Sequence, residues 1–290
     1  MDFRTDLALE RQEIVNTDSD DGVLVKKHEE ENASVTEIEI TNSVGAEKIG
    51  KPIGKYITIE LPEFSSDSEI MDGRLKAVSD CIKSLLPQND GTVLVAGLGN
   101  SDITPDAFGP FAAKNIFATR HIDNKLAKEL GFPNLRSVSA ITFGVLGQTG
   151  VETAEVIKGV VNTISPSAVI TVDALASRKL SRLGNTVQLT NTGITPGSGV
   201  GNHRAEINES SLGVPVIAIG VPTVVDAATL VNDITEDTKI KEEMKEQAEN
   251  MMVTPREIDV MIERAARLVA LSINCALQPE IDPEILLNIV

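Results

Sequence analysis

Two aspartates carry the clearest prospect of chemistry in this sequence. Asp106 closes the loop GLGNSDITPD (97–106), and Asp173 lies in VITVDAL (169–175). Each follows an apolar run that reads as a buried β-strand, and in open α/β sheets functional groups gather at the carboxyl ends of strands. A carboxylate placed after Val169, Ile170, Thr171 and Val172 is partly desolvated, which lifts its pKa toward the range useful for acid–base work. Two such groups meeting across neighbouring strand ends share a proton, so one serves as base toward a water and the other as acid. That pairing suits peptide hydrolysis. A structural alternative stands beside each residue. Asp173 is equally placed to cap the following helix, and Thr104-Pro105-Asp106 is also a helix-start pattern. Asp226, after the strand 214–225, is a further strand-end carboxylate.

Glycines surround these positions. Gly97, Gly99 and Asn100 belong to the first loop, and Gly199 and Gly201 to a second, TPGSGVGN (195–202). Their expected role is to let backbone amides approach a bound peptide or an oxyanion. Neither loop has the G-x-G-x-x-G spacing, and no G-x-x-x-x-G-K-[ST] occurs, which argues against a nucleotide site. Other catalytic classes find little support. His28, His121 and His203 are far apart, with no H-E-x-x-H, so no zinc site is expected. There is no G-x-S-x-G elbow. Cys81 and Cys275 fall in helical segments away from strand ends, which supports neither a cysteine protease nor a disulfide framework and fits a reducing compartment.

The elements that must position these residues repeat one theme. TVLVAGLGN (92–100), SAVITVDAL (167–175) and VPVIAIGVPTVV (214–225) are near-continuous aliphatic strands, each followed by a loop and a predicted helix, over 106–120, 176–184 and from 226. Runs of this kind are buried on both faces, which predicts an α/β fold with a mostly parallel central sheet flanked by helices. Before them, VLVKKHEEENASVTEIEIT and KYITIEL read as short antiparallel additions. A helix is predicted over 67–86, a solvated charged helix over 236–249, and a final helix opened by the capping box Thr254-Pro255-Arg256-Glu257.

Composition narrows the partners. The 290 residues carry a formal net charge of −17, with 41% apolar but only 3% aromatic residues. An acidic field repels phosphate backbones and anionic membranes while admitting neutral or basic polypeptides. Few aromatics also leave little for base stacking. No apolar run approaches a membrane span or a signal peptide. A soluble, cytoplasmic protein without nucleic-acid partners is expected.

The blocks VLVAGLGNSDITPDAFGP, VSAITFGVLGQTGVET, VITVDALASRKLSRL, GITPGSGVGNHR, VPVIAIGVPTVVDA and MMVTPREID resemble the germination protease of spore-forming Firmicutes. The resemblance runs from Arg4-Thr5-Asp6-Leu7-Ala8 to the final helix. It implies a fold like that of hydrogenase-maturation proteases, a homotetramer in the forespore or spore core, and small acid-soluble spore proteins as substrates. It assigns the two essential aspartates to Asp106 and Asp173. It also implies a zymogen that cleaves itself between Asp6 and Leu7, giving a propeptide of residues 1–6 and one protease domain of residues 7–290. The loop Phe143-Gly144-Val145-Leu146-Gly147 lacks the metal-binding histidine of the maturation proteases, so no metal or other cofactor is expected. The leader and the 226–252 connection are shorter than in Bacillus members. Two rival readings are a metal-assisted protease using the same aspartates and a peptide-binding or metal-chaperone module without turnover.

Overall fold

The computed structural model describes residues 5–15, 22–66, 69–129, 131–132, 134–200, 204–234, 248 and 251–289. The strands are β1 (Val23–Glu30), β2 (Ala33–Ile40), β3 (Gly54–Glu60), β4 (Val93–Gly97), β5 (Val138–Thr142), β6 (Ala168–Ser177), β7 (Thr186–Thr190), β8 (Val216–Asp226) and β9 (Met252–Val253). The helices are α1 (Ala8–Val15), α2 (Ser43–Ile49), α3 (Gly73–Leu85), α4 (Phe108–Lys114), α5 (Asn124–Glu129), α6 (Leu146–Thr149), α7 (Thr153–Ile164), α8 (Glu209–Leu212), α9 (Ala227–Ile234), α10 (Ile258–Leu277) and α11 (Pro283–Ile289).

The nine strands among the described residues join one sheet in the order β1-β2-β3-β7-β8-β6-β4-β5, with β9 added on β8. The aliphatic strands β5, β4, β6 and β8 run parallel. The amino-terminal strands are antiparallel, and they extend this sheet through β3–β7 and β7–β8 pairing. The parallel half is covered on both faces, which is why its strands are apolar without alternation. Along β4, Val93 and Val95 join the cluster containing α10 residues Leu268 and Val269, while Leu94 and Ala96 join α7 residues Ile157 and Val161. A third cluster, with Leu9, Ile38, Ile40 and Tyr56, seats α1 on the antiparallel addition.

Several local expectations change. The helix expected over 67–86 begins at Gly73, because Asp72 caps it by accepting from the Arg74 amide at 2.9 Å. The region after β6 forms only a short 3-10 turn, Leu180–Arg182, since its charged side chains are drawn toward α1. The capping box at 254–257 is not made. Val253 is still paired with β8, and the Thr254 hydroxyl donates instead to the Thr223 carbonyl at 2.9 Å, so α10 starts at Ile258. The charged run 236–249 falls almost wholly outside the described residues. Among the described residues no helix is long and apolar enough to cross a membrane.

Candidate active site

Strand β6 outruns its neighbour. Gly97, the last residue of β4, pairs with Val172, whereas β6 continues beside β8 to Ser177. Asp173 is therefore not the end of its strand, as expected from sequence, but the first residue beyond the edge that β4 covers. The vacated edge opens a crevice, the usual place for a site in an open α/β sheet. β8 carries an irregularity there, with Leu175 opposite Pro222 but Ala176 opposite Val224. Bulges of this kind commonly re-aim side chains beside functional sites.

Asp106 reaches the same crevice from the end of a 3-10 turn, Thr104–Asp106, just before α4, a helix set against the sheet by two glycines. A Cβ on Gly97 would stand 2.3 Å from the Gly109 carbonyl oxygen, and one on Gly109 would stand 2.2 Å from that of Val172. Only glycine allows α4 to lie this close to β4 and β6. Gly97 thus serves the joint between helix and sheet. Gly99, at φ +111°, turns the loop back over Asp106, where a Cβ would meet the Asp106 carbonyl oxygen at 2.1 Å. The Asn100 amide donates to Asp106 Oδ2 at 2.8 Å, so this N–H is committed to the carboxylate. Asn100 Oδ1 in turn accepts from Gln148 Nε2 at 2.8 Å and from the Asp102 amide at 2.9 Å, which fixes the loop.

The two carboxylates have unequal environments. Burial pushes Asp173 well above the usual carboxylate range, and the charges of Asp106 and then Asp6 push it further; the Ala174 amide opposes them. Asp106 is half-buried and is raised by burial against the opposing Asn100 hydrogen bond. Asp173, 6% exposed, is the better proton holder, and Asp106 the better base. Both line a cleft of about 530 Å³ with Leu98, Pro105, Leu146 and Thr223. That volume suits a segment of polypeptide better than a single ion. Among the described residues, no group of three His, Cys, Asp or Glu side chains lies within reach of one metal ion.

The chain's own segment around Asp6 enters this crevice. Strand residues of the same parity point their amides to the same edge, and Val172 turns its carbonyl toward β4 by accepting from Leu98 at 2.8 Å. Ala176, four residues on, therefore faces the vacated edge, and there Asp6 pairs with it. The Asp6 amide donates to the Ala176 carbonyl at 3.0 Å, and the Ala176 amide donates to Asp6 Oδ2 at 2.9 Å. Ser198 Oγ donates to Asp6 Oδ1 at 2.8 Å, and a Cβ on Gly199 would meet Asp6 Oδ2 at 2.1 Å. The Asp6 carbonyl oxygen accepts from Lys51 Nζ at 2.9 Å and Gln188 Nε2 at 3.1 Å. Leu7 and Ala8 are fully buried.

A buried ionic cluster anchors the segment that follows. Glu10, 1% exposed, accepts from the amides of Arg178 at 2.7 Å and Lys179 at 2.9 Å, and Thr5 Oγ1 also donates to it. Arg182 lies 3.5 Å from Glu10 and 2.6 Å from Glu13.

The structure thus gathers Asp6, Asp106, Asp173, Gly99, Asn100 and Gly199 in one place, with Gly97 behind them. Gly201 and His203 lie outside the described residues. Asp226 is elsewhere in role: its Oδ1 accepts from the Thr229 amide at 2.8 Å and hydroxyl at 2.9 Å, capping α9. Sequence reasoning missed Lys51, Gln188 and Ser198, which come from three separate segments and form no motif.

The family model and the curated relatives agree with one another. The family model for germination protease matches residues 4–238. The germination protease of Caldanaerobacter subterraneus subsp. tengcongensis is 45% identical, covering 96% of this chain and 94% of its own. That of Clostridium perfringens is 44% identical over 95% of each chain, and that of Priestia megaterium 38% identical over 96% and 92%. Among solved structures, the [NiFe] hydrogenase maturation protease HycI from Thermococcus kodakarensis matches with a TM-score of 0.33 and 17% identity, covering 63% of this chain and 99% of its own, a likeness too slight to carry an argument.

Proposed function

This chain belongs to the germination protease family, and from that premise we propose that it is an endopeptidase of spore germination in which Asp106 and Asp173 activate a water. The observation that carries this reading is the unequal carboxylate pair at the mouth of β4, both members raised by burial and Asp173 the further. In the resting site Asp173 holds a proton and Asp106 is ionised. Asp106 takes a proton from the water as its oxygen attacks the peptide carbonyl carbon. Asp173 delivers its proton to the carbonyl oxygen, which leaves a neutral gem-diol. On collapse Asp106 passes the proton it took to the departing nitrogen, the C–N bond breaks, and a diol hydroxyl returns a proton to Asp173, which restores the pair.

The first substrate in this reading is the chain itself, cut between Asp6 and Leu7. Support comes from the placement of Asp6 on the free edge of β6, within electrostatic range of Asp173. Removal of residues 1–6 would open the same edge to substrates in trans. Family membership and the acidic surface favour small acid-soluble spore proteins as those substrates, and the family resemblance favours a homotetramer. The test is a time course of the purified full-length chain, alone and with such a spore protein. Intact mass and amino-terminal sequencing should give a new terminus at Leu7, then fragments of the added protein. Stable binding without new termini would replace this reading with a non-catalytic module.

A further inference from the structure

The connection between β5 and α7 overhangs the crevice and carries a residue that the mechanism above does not use. Residues 143–152 link the two elements, and Val145, Leu146 and Gly147 line the cleft beside Asp106. From the same short helix, α6, Gln148 turns toward the loop after β4. Its Nε2 donates to Asn100 Oδ1 at 2.8 Å and to Asp102 Oδ2 at 3.1 Å, and its Oε1 accepts from the Val145 amide at 3.2 Å. A side-chain amide has two N–H hydrogens and one oxygen, so all of this one is engaged and its orientation is fixed. Turned over, it would set its oxygen against Asn100 Oδ1 and the Asp102 carboxylate. Gly144 makes the room, since a Cβ there would stand 3.0 Å from Gln148 Oε1.

What Gln148 holds is the residue that serves the base. Asn100 Oδ1 accepts from Gln148 and from the Asp102 amide, while the Asn100 amide donates to Asp106 Oδ2 at 2.8 Å. Among the described residues, no other hydrogen bond reaches the Asp106 carboxylate. Burial raises the pKa of Asp106, and this N–H opposes the rise. The rest of the loop, Ser101 to Ile103, turns to solvent. Gln148 is itself exposed, and α6 is a single turn closed by Gly150 in the left-handed region. Exposed hydrogen bonds of this kind add little to folding. Their consequence is where the Asn100 amide points.

We propose that Gln148 is a positioning residue for the base Asp106: it ties the cleft wall of Val145 and Leu146 to Asn100 and so keeps the Asn100 amide aimed at the carboxylate. This rests on the endopeptidase reading above, in which Asp106 takes a proton from water. With Gln148 in place, the amide favours the ionised carboxylate, the form a base needs. Without it the loop relaxes, the amide leaves Asp106, and burial acts unopposed, so the base is protonated at a higher pH. The other charged groups lining the crevice are Asp173 of β6, Asp6, Glu152 before α7 and Arg204, with Asp102 on the loop itself. A neutral replacement of Gln148 alters none of these charges.

The experiment compares wild type, Gln148→Met, Asn100→Ala and the double variant, each as full-length protein left to process itself and assayed on a small acid-soluble spore protein over a range of pH. Gln148→Met should lower kcat by about 10- to 100-fold, the scale of a misplaced catalytic group, with KM little changed. It should also move the acidic limb of kcat/KM to higher pH. The double variant should be no slower than Asn100→Ala, because both changes break one link. A folding defect would lower kcat at every pH and leave the limb in place. With wild type active, an unmoved limb in Gln148→Met, or losses that multiply in the double variant, would overturn the positioning role and spare the endopeptidase reading. No cleavage by wild type of itself or of the spore protein would overturn both.

Discussion

Gly109 lies against the carbonyl of Val172 so closely that a Cβ would stand 2.2 Å from its oxygen. This contact sets the distance between α4, which follows Asp106, and the strand that carries Asp173. Gly109→Ala must push the helix from the sheet. We expect a loss of about 1–3 kcal/mol of stability, the usual cost of overpacking. Activity should fall further than stability does, because both aspartates are displaced relative to each other. Thermal melts and peptide assays on the purified variant check this; a fully active Gly109→Ala would contradict it.

The raised pKa of Asp173 has a sign that melts can read. The folded form holds the proton at pH values where the unfolded chain has released it. Folding is therefore favoured below the unfolded value of about 3.9 and loses ground as pH rises toward the folded value, by about 1.4 kcal/mol per unit of difference. Asp173→Asn removes this loss. The variant should melt higher than wild type at pH 7, with the gap shrinking toward pH 4. A gap that is constant with pH would count against a buried, protonated Asp173.

Activity should follow a bell-shaped pH profile. The acidic limb reports protonation of Asp106, raised above the ordinary carboxylate value by burial, and the alkaline limb reports loss of the Asp173 proton. Asp106→Asn and Asp173→Asn cannot test this separately, but a wild-type kcat/KM profile can. A profile still rising at pH 10 would be inconsistent with an acid at Asp173.

Glu10 ties the amino-terminal segment to the loop after β6. Glu10→Ala leaves the Arg178 and Lys179 amides without their acceptor, while Arg182 keeps Glu13 and Glu60, at a cost of about 1–3 kcal/mol for each buried donor left unsatisfied. Trypsin should then cut after Arg11 in the variant far sooner than in wild type, as mass spectrometry of a brief digest would reveal.

Exhaustive chelation separates the water-activating pair from a metal held by the same aspartates. The expected result is unchanged self-cleavage and peptide cleavage after dialysis against a strong chelator. Loss of activity, restored by a divalent cation, would favour the metal-assisted reading.

Much of this was legible in the sequence because burial on both faces leaves an unmistakable aliphatic run, as in β4, β6 and β8. β5 and α7 were harder to see. The exposure of β5 along one stretch weakens its apolar signal, and only Ile157 and Val161 of α7 are fully inside. The capping box at 254–257 misled because pairing of Val253 with β8 takes the Thr254 hydroxyl for the sheet. Asp106 and Asp173 could be singled out by strand position. Lys51, Gln188 and Ser198 could not, since their meeting at Asp6 depends on antiparallel strands joining the parallel sheet through β7, a pairing that no local pattern encodes.

The most direct test is the pair of single variants Asp106→Asn and Asp173→Asn, each purified as the full chain and confirmed folded by its melt. Mass spectrometry over hours should find both intact at residue 6, and both should cut a spore-protein substrate about 10²–10⁴-fold more slowly than wild type, the range of general acid–base catalysis. Either variant cutting itself after Asp6 at the wild-type rate would contradict the two-aspartate centre.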